Sequence, residues 1–514
     1  MPTLNMSPGD RSATAPAPSP RGCRVFTVLL AAAWLPLAGC MVGPNYTPPA
    51  TAMPGTYEEL PSAPAAGLDA AALDEAAWWQ RFGDAELASL VQRAVAANNN
   101  LKVAEARLRQ ARSSRQVAWS LLFPRIGVGA SVLPFRASES VIELPGADLT
   151  GTLFQVGFDA EWTVDLWGGT RRLVESAAAE EQGADSRRRG VVLMIAAETA
   201  RAYMELRGAQ RELAVARATL ESQKQTLTVT QDRYVNGLAS ELEVVRARTE
   251  VEGTAAEIPP IEQAIREYVH VLSTLLALAP TALSDELSPP AGIPAVPDRI
   301  AVGVPSDLLR RRPDIQAAER RIASATAMVG VATAQLFPRL VLGGSAGFAS
   351  RHADDLFNGG SSSYYLAGPA INWTLFDAGR RQATIQSSEA EVDAAKAMYE
   401  DTVLTAFREV ESALVAVDRS RARVADLELL AASAREALTI AQGDYRNGLL
   451  DQLTVLDAQR QASRADMLLV QGRVALTVNV VRLYKALGGG WEIAEPATAA
   501  QASSETSSTP KENP

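Results

Sequence analysis

Few residues in this chain have both the type and the spacing for chemistry. Gly343-Gly344-Ser345-Ala346-Gly347 fits the G-x-S-x-G pattern that presents a nucleophilic serine on a strand-to-helix elbow. Here the pentad falls inside a stretch that reads as a strand, where glycine softens the packing. His352 follows closely and His270 sits on an apolar helix, so neither is placed as a base. The two cysteines, Cys23 and Cys40, both precede the body of the chain, which excludes a disulfide framework and a thiolate metal site. No cluster of imidazole or thiol ligands stands out. No catalytic residue, metal or cofactor is expected.

Cys40 itself has a chemistry. Arg21 and Arg24 supply positive charge, and Val25 to Leu37 is a nearly pure apolar run. That run matches a signal core and is too short to cross a bilayer as a helix. Leu37-Ala38-Gly39-Cys40 then resembles the bacterial lipoprotein signal, in which the peptide is cut before the cysteine and the thiol is acylated. Small residues before the cut suit a tight protease pocket, and only a thiol can carry the diacylglycerol. An ordinary signal peptide with a chance cysteine is the alternative. Met41, rather than an aspartate, follows, which by analogy with lipoproteins permits sorting to the outer membrane. The stretch before Arg21 is long for a signal, which leaves Met6 or a later residue open as the true start. Acyl chains add roughly 0.8 kcal/mol per buried methylene, so several on one cysteine hold the N-terminus at a membrane surface.

The 514 residues carry a formal charge of −10, and loss of the first 39 removes three arginines and one aspartate. So acidic a chain is unsuited to nucleic acid, because phosphate binding needs a cationic surface. Arg310-Arg311-Arg312 therefore reads as a solvated or ion-paired helix start. Hydrophobic residues at 47% and charged residues at 21% fit a folded protein.

The elements that position these residues come twice. Leu122-Phe123-Pro124-Arg125 recurs as Leu336-Phe337-Pro338-Arg339, and Trp162-Thr163 with Asp165 and Gly168 recurs as Trp373-Thr374 with Asp377 and Gly379. Gln231 to Leu238 recurs as Gln442 to Leu449. Each unit reads as helix, strand, strand, very long helix, tight turn, long helix. The first helix is expected over Ala85 to Leu122 and its counterpart over Ser306 to Leu336, with Ser306 as cap. In the long helices Val192, Ile195, Thr199, Ala202, Leu206, Ala209, Leu213, Ala216 and Leu220 fall at alternating steps of three and four. Val392, Ala395, Tyr399, Val403, Ala406, Val410, Ala413 and Val417 do the same, the signature of helices wound on each other at close range. Arg380 to Gln442 would span roughly 95 Å at 1.5 Å per residue. Taken alone, this segment reads as a soluble rod.

The strands change that reading. Phe154, Val156, Phe158, Ala160 and Trp162 alternate strictly with Gln155, Gly157, Asp159, Glu161 and Thr163. Ten such residues are the length of one membrane-spanning β-strand. Ile126 to Val132 alternates too, and Leu340 to Ala349 and Tyr365 to Thr374 do so more weakly; Pro369 predicts a bulge or irregular pairing. A soluble two-faced sheet shows the same period, but the export signal and lipid anchor favour the membrane. Four strands cannot close a barrel, and an open edge is intolerable in lipid. Several chains must therefore share one barrel.

The chain resembles the bacterial outer membrane factor family, TolC-like, and within it the NodT-like efflux lipoproteins. The resemblance rests on Gly43-Pro44-Asn45-Tyr46 after the lipidation motif and on Trp79 with Phe82. It rests also on Asp307 to Ile315, on the paired Leu-Phe-Pro-Arg runs, on Phe376 to Arg380, and on Tyr445 to Gly448 leading to Val455 to Arg460. It implies an α+β membrane protein: a homotrimer whose twelve-stranded β-barrel, four strands per chain, continues into a long α-helical coiled-coil periplasmic tunnel. The implied function is the outer membrane channel of a tripartite efflux system, a passive exit duct for drugs or other small solutes. Its partners would be outer membrane lipid, a periplasmic adaptor (membrane fusion) protein and an inner-membrane pump of the resistance-nodulation-division type. A channel for type I protein secretion is the alternative within the fold, and a pore-less periplasmic coiled-coil scaffold lipoprotein the alternative outside it.

The domains expected are a signal peptide over 1–39, a lipidated tether over 40–83, efflux repeats over 84–279 and 306–488, a linker over 280–305, and a disordered tail over 489–514. The turns after Tyr234 and Tyr445 would lie at the periplasmic mouth, so Asn236, Gly237, Leu238, Asn447, Gly448 and Leu449 are the candidate adaptor-docking tips. Leu453 and Asp457 share one helix face. The resemblance makes them constriction rings at a closed mouth, with Tyr445 tying neighbouring helices there. The first copy has Leu242 and Arg246 in their places, and Leu450 stands where some relatives carry a latch arginine. A solvated surface carboxylate is the alternative for Asp457. Trp78, Trp79 and Phe82 are expected to pack against helices rather than bind a ligand.

Overall fold

The computed structural model describes residues 41–60, 68–69, 77–136, 138 and 150–492. Cys40, the signal segment and the tail from residue 493 lie outside the described residues, as do residues 61–67 and 70–76 of the expected tether. The chain divides into two compact units. One comprises Met1–Gly43, Leu122–Arg171 and Thr333–Asp377; the other comprises Pro44–Leu121, Arg172–Ala332 and Ala378–Pro514.

The first unit holds a four-stranded antiparallel meander: β1 (Arg125–Arg136), β2 (Thr150–Val164), β3 (Arg339–Ser350) and β4 (Ser363–Asn372). Its register sorts the residues by face, because directly opposite residues of an antiparallel pair point the same way. Phe158 faces Val128 and Ala346, and Ala346 faces Tyr365. The face they define is apolar: Ile126, Val128, Val132, Phe158, Tyr365 and Ile371 lie on it, each more than 60% exposed. The opposite face is mixed and carries the charges: Arg125 across from Glu161, Asp159 across from Gly127 and Ser345, and Gln155, Tyr364 and Asn372, with Leu133 and Leu366 exposed among them. Large bare apolar surface on one side and charge on the other is what a lipid-facing wall with a wet interior requires.

Pro369 does not produce the expected bulge. It pairs with Leu342 in unbroken register. The reason is hydrogen-bond parity. Ala349 N–H donates to Ser362 O at 2.8 Å, just past the end of β4. Bonded and non-bonded pairs alternate along an antiparallel ladder, so Leu342–Pro369 is a non-bonded pair and the proline nitrogen faces the open edge. The same parity carried across β2 turns the nitrogen of Pro134 to the other open edge. β4 also ends at Asn372, so Trp373-Thr374 falls beyond it. The repeated Trp and Leu-Phe-Pro-Arg motifs meet here: Trp162 Nε1 donates to Leu122 O at 2.9 Å, and Trp373 Nε1 to Leu336 O at 3.0 Å. Val42 N–H donates to Trp167 O at 3.1 Å, fixing the start of the described chain to the corner after β2.

The second unit is helical. α1 (Ala85–Ala97) and α2 (Asn99–Ser120) replace the single helix expected over Ala85 to Leu122. Asn98 breaks it, because its carboxamide both accepts from Asn100 N–H and donates to Leu275 O, as a new N-cap does. The counterpart is likewise divided, into Leu308–Arg311 and α5 (Pro313–Ala334). Ser306 lies inside a short 3-10 turn and is not the cap. Asp307 serves that end, accepting from Val304 N–H and Arg310. Arg312 is buried against Asp314, Glu409 and Ala486 O, so the arginine run is ion-paired at its start and end.

The long helices are α3 (Gly169–Val235) and α6 (Arg380–Arg446), each of 67 residues, about 100 Å at 1.5 Å per residue. Each returns through a tight turn into α4 (Glu241–Leu275) or α7 (Gln452–Leu487). Most heptad positions are buried, with Val192, Thr199, Ala202, Leu206, Ala406, Val410, Ala413 and Val417 fully enclosed; Leu213, Leu220 and Val392 are half-buried, and α3 also encloses Ala196, Ala200 and Met204 off the heptad. Trp78 stacks on Tyr484 and Trp79 is equally enclosed, so the aromatic cluster is core. The N-terminal stretch is not a free leash where it is described. Tyr46 donates to Glu319, Tyr57 is buried on Phe407, and the backbone at Glu58 and Glu59 donates to Glu411. The inter-repeat linker packs as well, burying Leu283, Leu287, Ile300 and Val302. Residues Ile300–Ala301 pair in parallel with Leu68–Asp69.

Candidate functional site: the helical tips

Both turns are built alike. Gly237 and Gly448 have φ of +71° and +76°, a conformation open to glycine at little cost. Leu238 N–H bonds Arg233 O and Gly237 N–H bonds Tyr234 O; Leu449 and Gly448 repeat this with Asp444 and Tyr445. These paired bonds close the exhausted carbonyls of α3 and α6. Asn236 and Asn447 precede the glycines as the last helical caps, and Asn236 also donates its carboxamide to Asp232 O. The returning helices are capped in turn. Ser240 and Glu243 form a reciprocal capping box, and Asp451 accepts from Thr454 N–H at 2.9 Å and Thr454 Oγ1 at 2.6 Å. Those bonds hold the Asp451 carboxyl below the usual carboxylate range.

The turns leave apolar side chains in water: Val235 is 83% exposed, Leu238 68% and Leu449 73%. Within this tip Tyr445 is buried and its first-copy counterpart Tyr234 is not. The Tyr445 hydroxyl meets Thr230 Oγ1 at 3.4 Å, its carbonyl accepts from Arg233 Nη1 at 3.0 Å, and the Arg233 guanidinium lies 4.7 Å over its ring. It therefore ties the end of α6 to the end of α3, one repeat to the other. Leu453 and Asp457 are both exposed on α7, where Asp457 accepts from Gln461 Nε2. Leu242 and Arg246, in the corresponding places of α4, are exposed too.

Beneath this tip lies a polar seam that none of the motifs announced. Gln452 Nε2 donates to Thr230 Oγ1 and Glu243 O, and Gln459 Nε2 donates to Thr226 Oγ1 at 2.8 Å; both glutamines are 2% exposed. The signal was available: Ser222, Thr226 and Thr230 recur at steps of four where the heptad elsewhere is apolar. Among the described residues, no group of His, Cys, Asp and Glu could hold a metal ion, and no helix is long and apolar enough to cross a membrane. The G-x-S-x-G pentad lies within β3 and turns no elbow.

Paired repeats of this kind, each a hairpin of strands feeding a hundred-ångström helix, define a class. The outer membrane efflux protein model matches residues 90–278 and 304–489. The chain belongs to the outer membrane efflux protein family. It is 32% identical over 461 residues to outer membrane protein OprJ of Pseudomonas aeruginosa, covering 89% of this chain and 94% of that one. It is 32% identical over 479 residues to nodulation protein T of Rhizobium leguminosarum, covering 92% and 96%. The solved outer-membrane channel OprN superposes with a TM-score of 0.82 at 35% identity, over 88% of this chain and all of that one.

Proposed function

We propose that three copies of this chain close into one barrel and form the passive outer membrane duct of a tripartite efflux system. The observation that carries this is the sheet: four strands with both edges open, apolar on one face and charged on the other. Two copies would give eight strands, an interior that side chains fill. Three give twelve, wide enough for a lumen. The outward bonds of β1 belong to Ile126, Val128 and their even-numbered neighbours, and those of β4 to Tyr365, Ala367 and theirs. Both sets belong to the apolar face. Joining β4 of one copy to β1 of the next therefore continues the lipid-facing surface without a break. A pore-less scaffold would leave that surface in water.

The exposed Val235, Leu238 and Leu449 around the capped turns suit docking of an adaptor's helices, and the adaptor would couple the duct to an inner-membrane pump. Three Asp457 carboxylates around one axis, with Leu453 a turn away, would constrict the mouth and filter by charge. Tyr445 would hold that state by keeping α6 and α7 against α3. Cys40 would be lipidated; the docking of Val42 on Trp167, at the end of a membrane strand, supports an anchor at that level. Catalysis is no part of this reading, since a duct passes solutes down the path a pump sets. Detergent-purified protein should scatter light as a trimer and conduct ions in planar bilayers. A monomer that is soluble without detergent and passes no current would overturn it.

A further inference from the structure

The charged face of the sheet is floored with glycine, and one aromatic side chain uses that floor. Tyr364 on β4, Gly347 on β3, Gly157 on β2 and Gly129 on β1 form a single cross-strand row. The Tyr364 hydroxyl reaches Gln155 Nε2 on β2, which donates to it at 2.6 Å. It also lies 3.0 Å from the place a Cβ on Gly157 would occupy. A side chain rooted on β4 that ends over β2 must run along the sheet, across Gly347, rather than out from it. No larger residue fits beneath: a Cβ on Gly347 would meet Val156 O at 2.2 Å, and one on Gly157 would meet Ala346 O at 2.7 Å. The arrangement recurs nearer the far rim, where the Phe135 ring lies 3.5 Å from a Cβ built on Gly151 in the facing position.

We infer that Gly157, Gly347 and Gln155 are positioning residues that hold Tyr364 flat against the wall of the lumen, keeping the exit wide and turning the aromatic ring to the passing solute. The inference rests on the barrel reading above, which makes this face the lumenal one. Aromatic rings laid over strand glycines also shield the bare backbone there. Cut loose from Gln155, the phenol would rotate about χ1 into the lumen, and three copies would narrow it at one level.

Conductance is a poor readout, because the constriction proposed at the helical tips would lie in series with the barrel. Labelling inside the barrel is direct. Beyond Cys40 the chain has no cysteine, and a side chain at Gly129 has nothing within 4 Å. Gly129→Cys therefore supplies a thiol in the same row. In proteoliposomes it should react with both a small maleimide and a polymer-linked one. Adding Gln155→Leu should slow the polymer-linked reagent several-fold and leave the small one unchanged. Adding Tyr364→Ala to that variant should restore the rate. Gly157→Val strikes the floor itself but risks misfolding, since its Cβ meets Ala346 O at 2.7 Å; Gln155→Leu avoids this because nothing is enlarged. Equal polymer labelling with and without Gln155→Leu would overturn the inference. A Gly129→Cys thiol that reacts only with lipid-soluble reagents would instead overturn the barrel reading on which it rests.

Discussion

At the residue scale, the tip carries two kinds of acid. Asp451 is a cap whose carboxyl is held below the usual range by the hydroxyl and backbone N–H of Thr454. A depressed folded pKa means that the stabilisation is complete above the unfolded value of about 3.9 and is lost as pH falls through the folded one. The start of α7 should therefore fray in strong acid, read as a lower protection factor for the Thr454 amide relative to its intrinsic exchange rate at the same pH. Asp451→Asn keeps an acceptor and should remove the pH dependence of that protection factor; a protection factor that still falls with pH in that variant would place the effect elsewhere. Asp457 is instead exposed and accepts from Gln461 Nε2. Asp457→Ala combined with Tyr445→Ala should raise single-channel conductance, since one removes the charge that the proposed constriction places at the mouth and the other the tie to α3. Tyr445→Phe should act more weakly, because it keeps the ring under Arg233 and loses only the 3.4 Å contact to Thr230.

At the element scale, the long helices owe their closeness to small residues. Ala406 and Ala413 are fully enclosed between neighbours at 0% exposure. Ala413→Leu adds three carbons to a seam with no space for them and should cost about 1–3 kcal/mol. Thermal unfolding followed by circular dichroism measures that loss, and an unchanged transition would show the seam to be looser than its burial. The polar seam beneath the tip obeys a different rule. Gln452 and Gln459 are buried but bonded to hydroxyls of α3, so α3 and α7 are registered there by directed bonds rather than by fit alone. Directed bonds have a small number of alternative registers, whereas an alanine seam slides.

At the scale of the whole molecule, the two open strand edges decide assembly. Ala370 bonds back into the sheet and Ala367 bonds outward, by the parity that Ala349 N–H and Ser362 O establish. Ala370→Pro should prevent insertion into membranes, because it removes a bond inside the protomer and thrusts a ring at β3. Ala367→Pro should permit insertion but lower the temperature at which the oligomer falls apart. Fractionation followed by heated, unheated and partly heated gel samples separates the two, and equal behaviour would refute the parity. Pro134 and Pro369 already occupy outward positions, one on each edge. Each blunts an edge that, in an unassembled chain, could pair with any strand it met.

Much of this was written in periodicities. Seven-residue spacing located most of the enclosed residues of α6 and one stripe of those in α3, whose neighbours Ala196, Ala200 and Met204 are buried as well, and two-residue spacing located the apolar face of β2, because both periods are set by backbone geometry and need no partner to be read. The duplicated motifs marked the corners where Trp162 and Trp373 grip the preceding helix ends. Other features depended on partners distant in the chain. Asn98 breaks a helix because Leu275 O is there to receive it; Pro369 fits without a bulge because β4 is an edge; the N-terminal stretch lies still because Glu319 and Glu411 await it. Tyr364 carries no mark in its own sequence. Its flat course over Gly347 and Gly157 exists only once four strands settle into register, since register is a property of pairs and no single strand contains it.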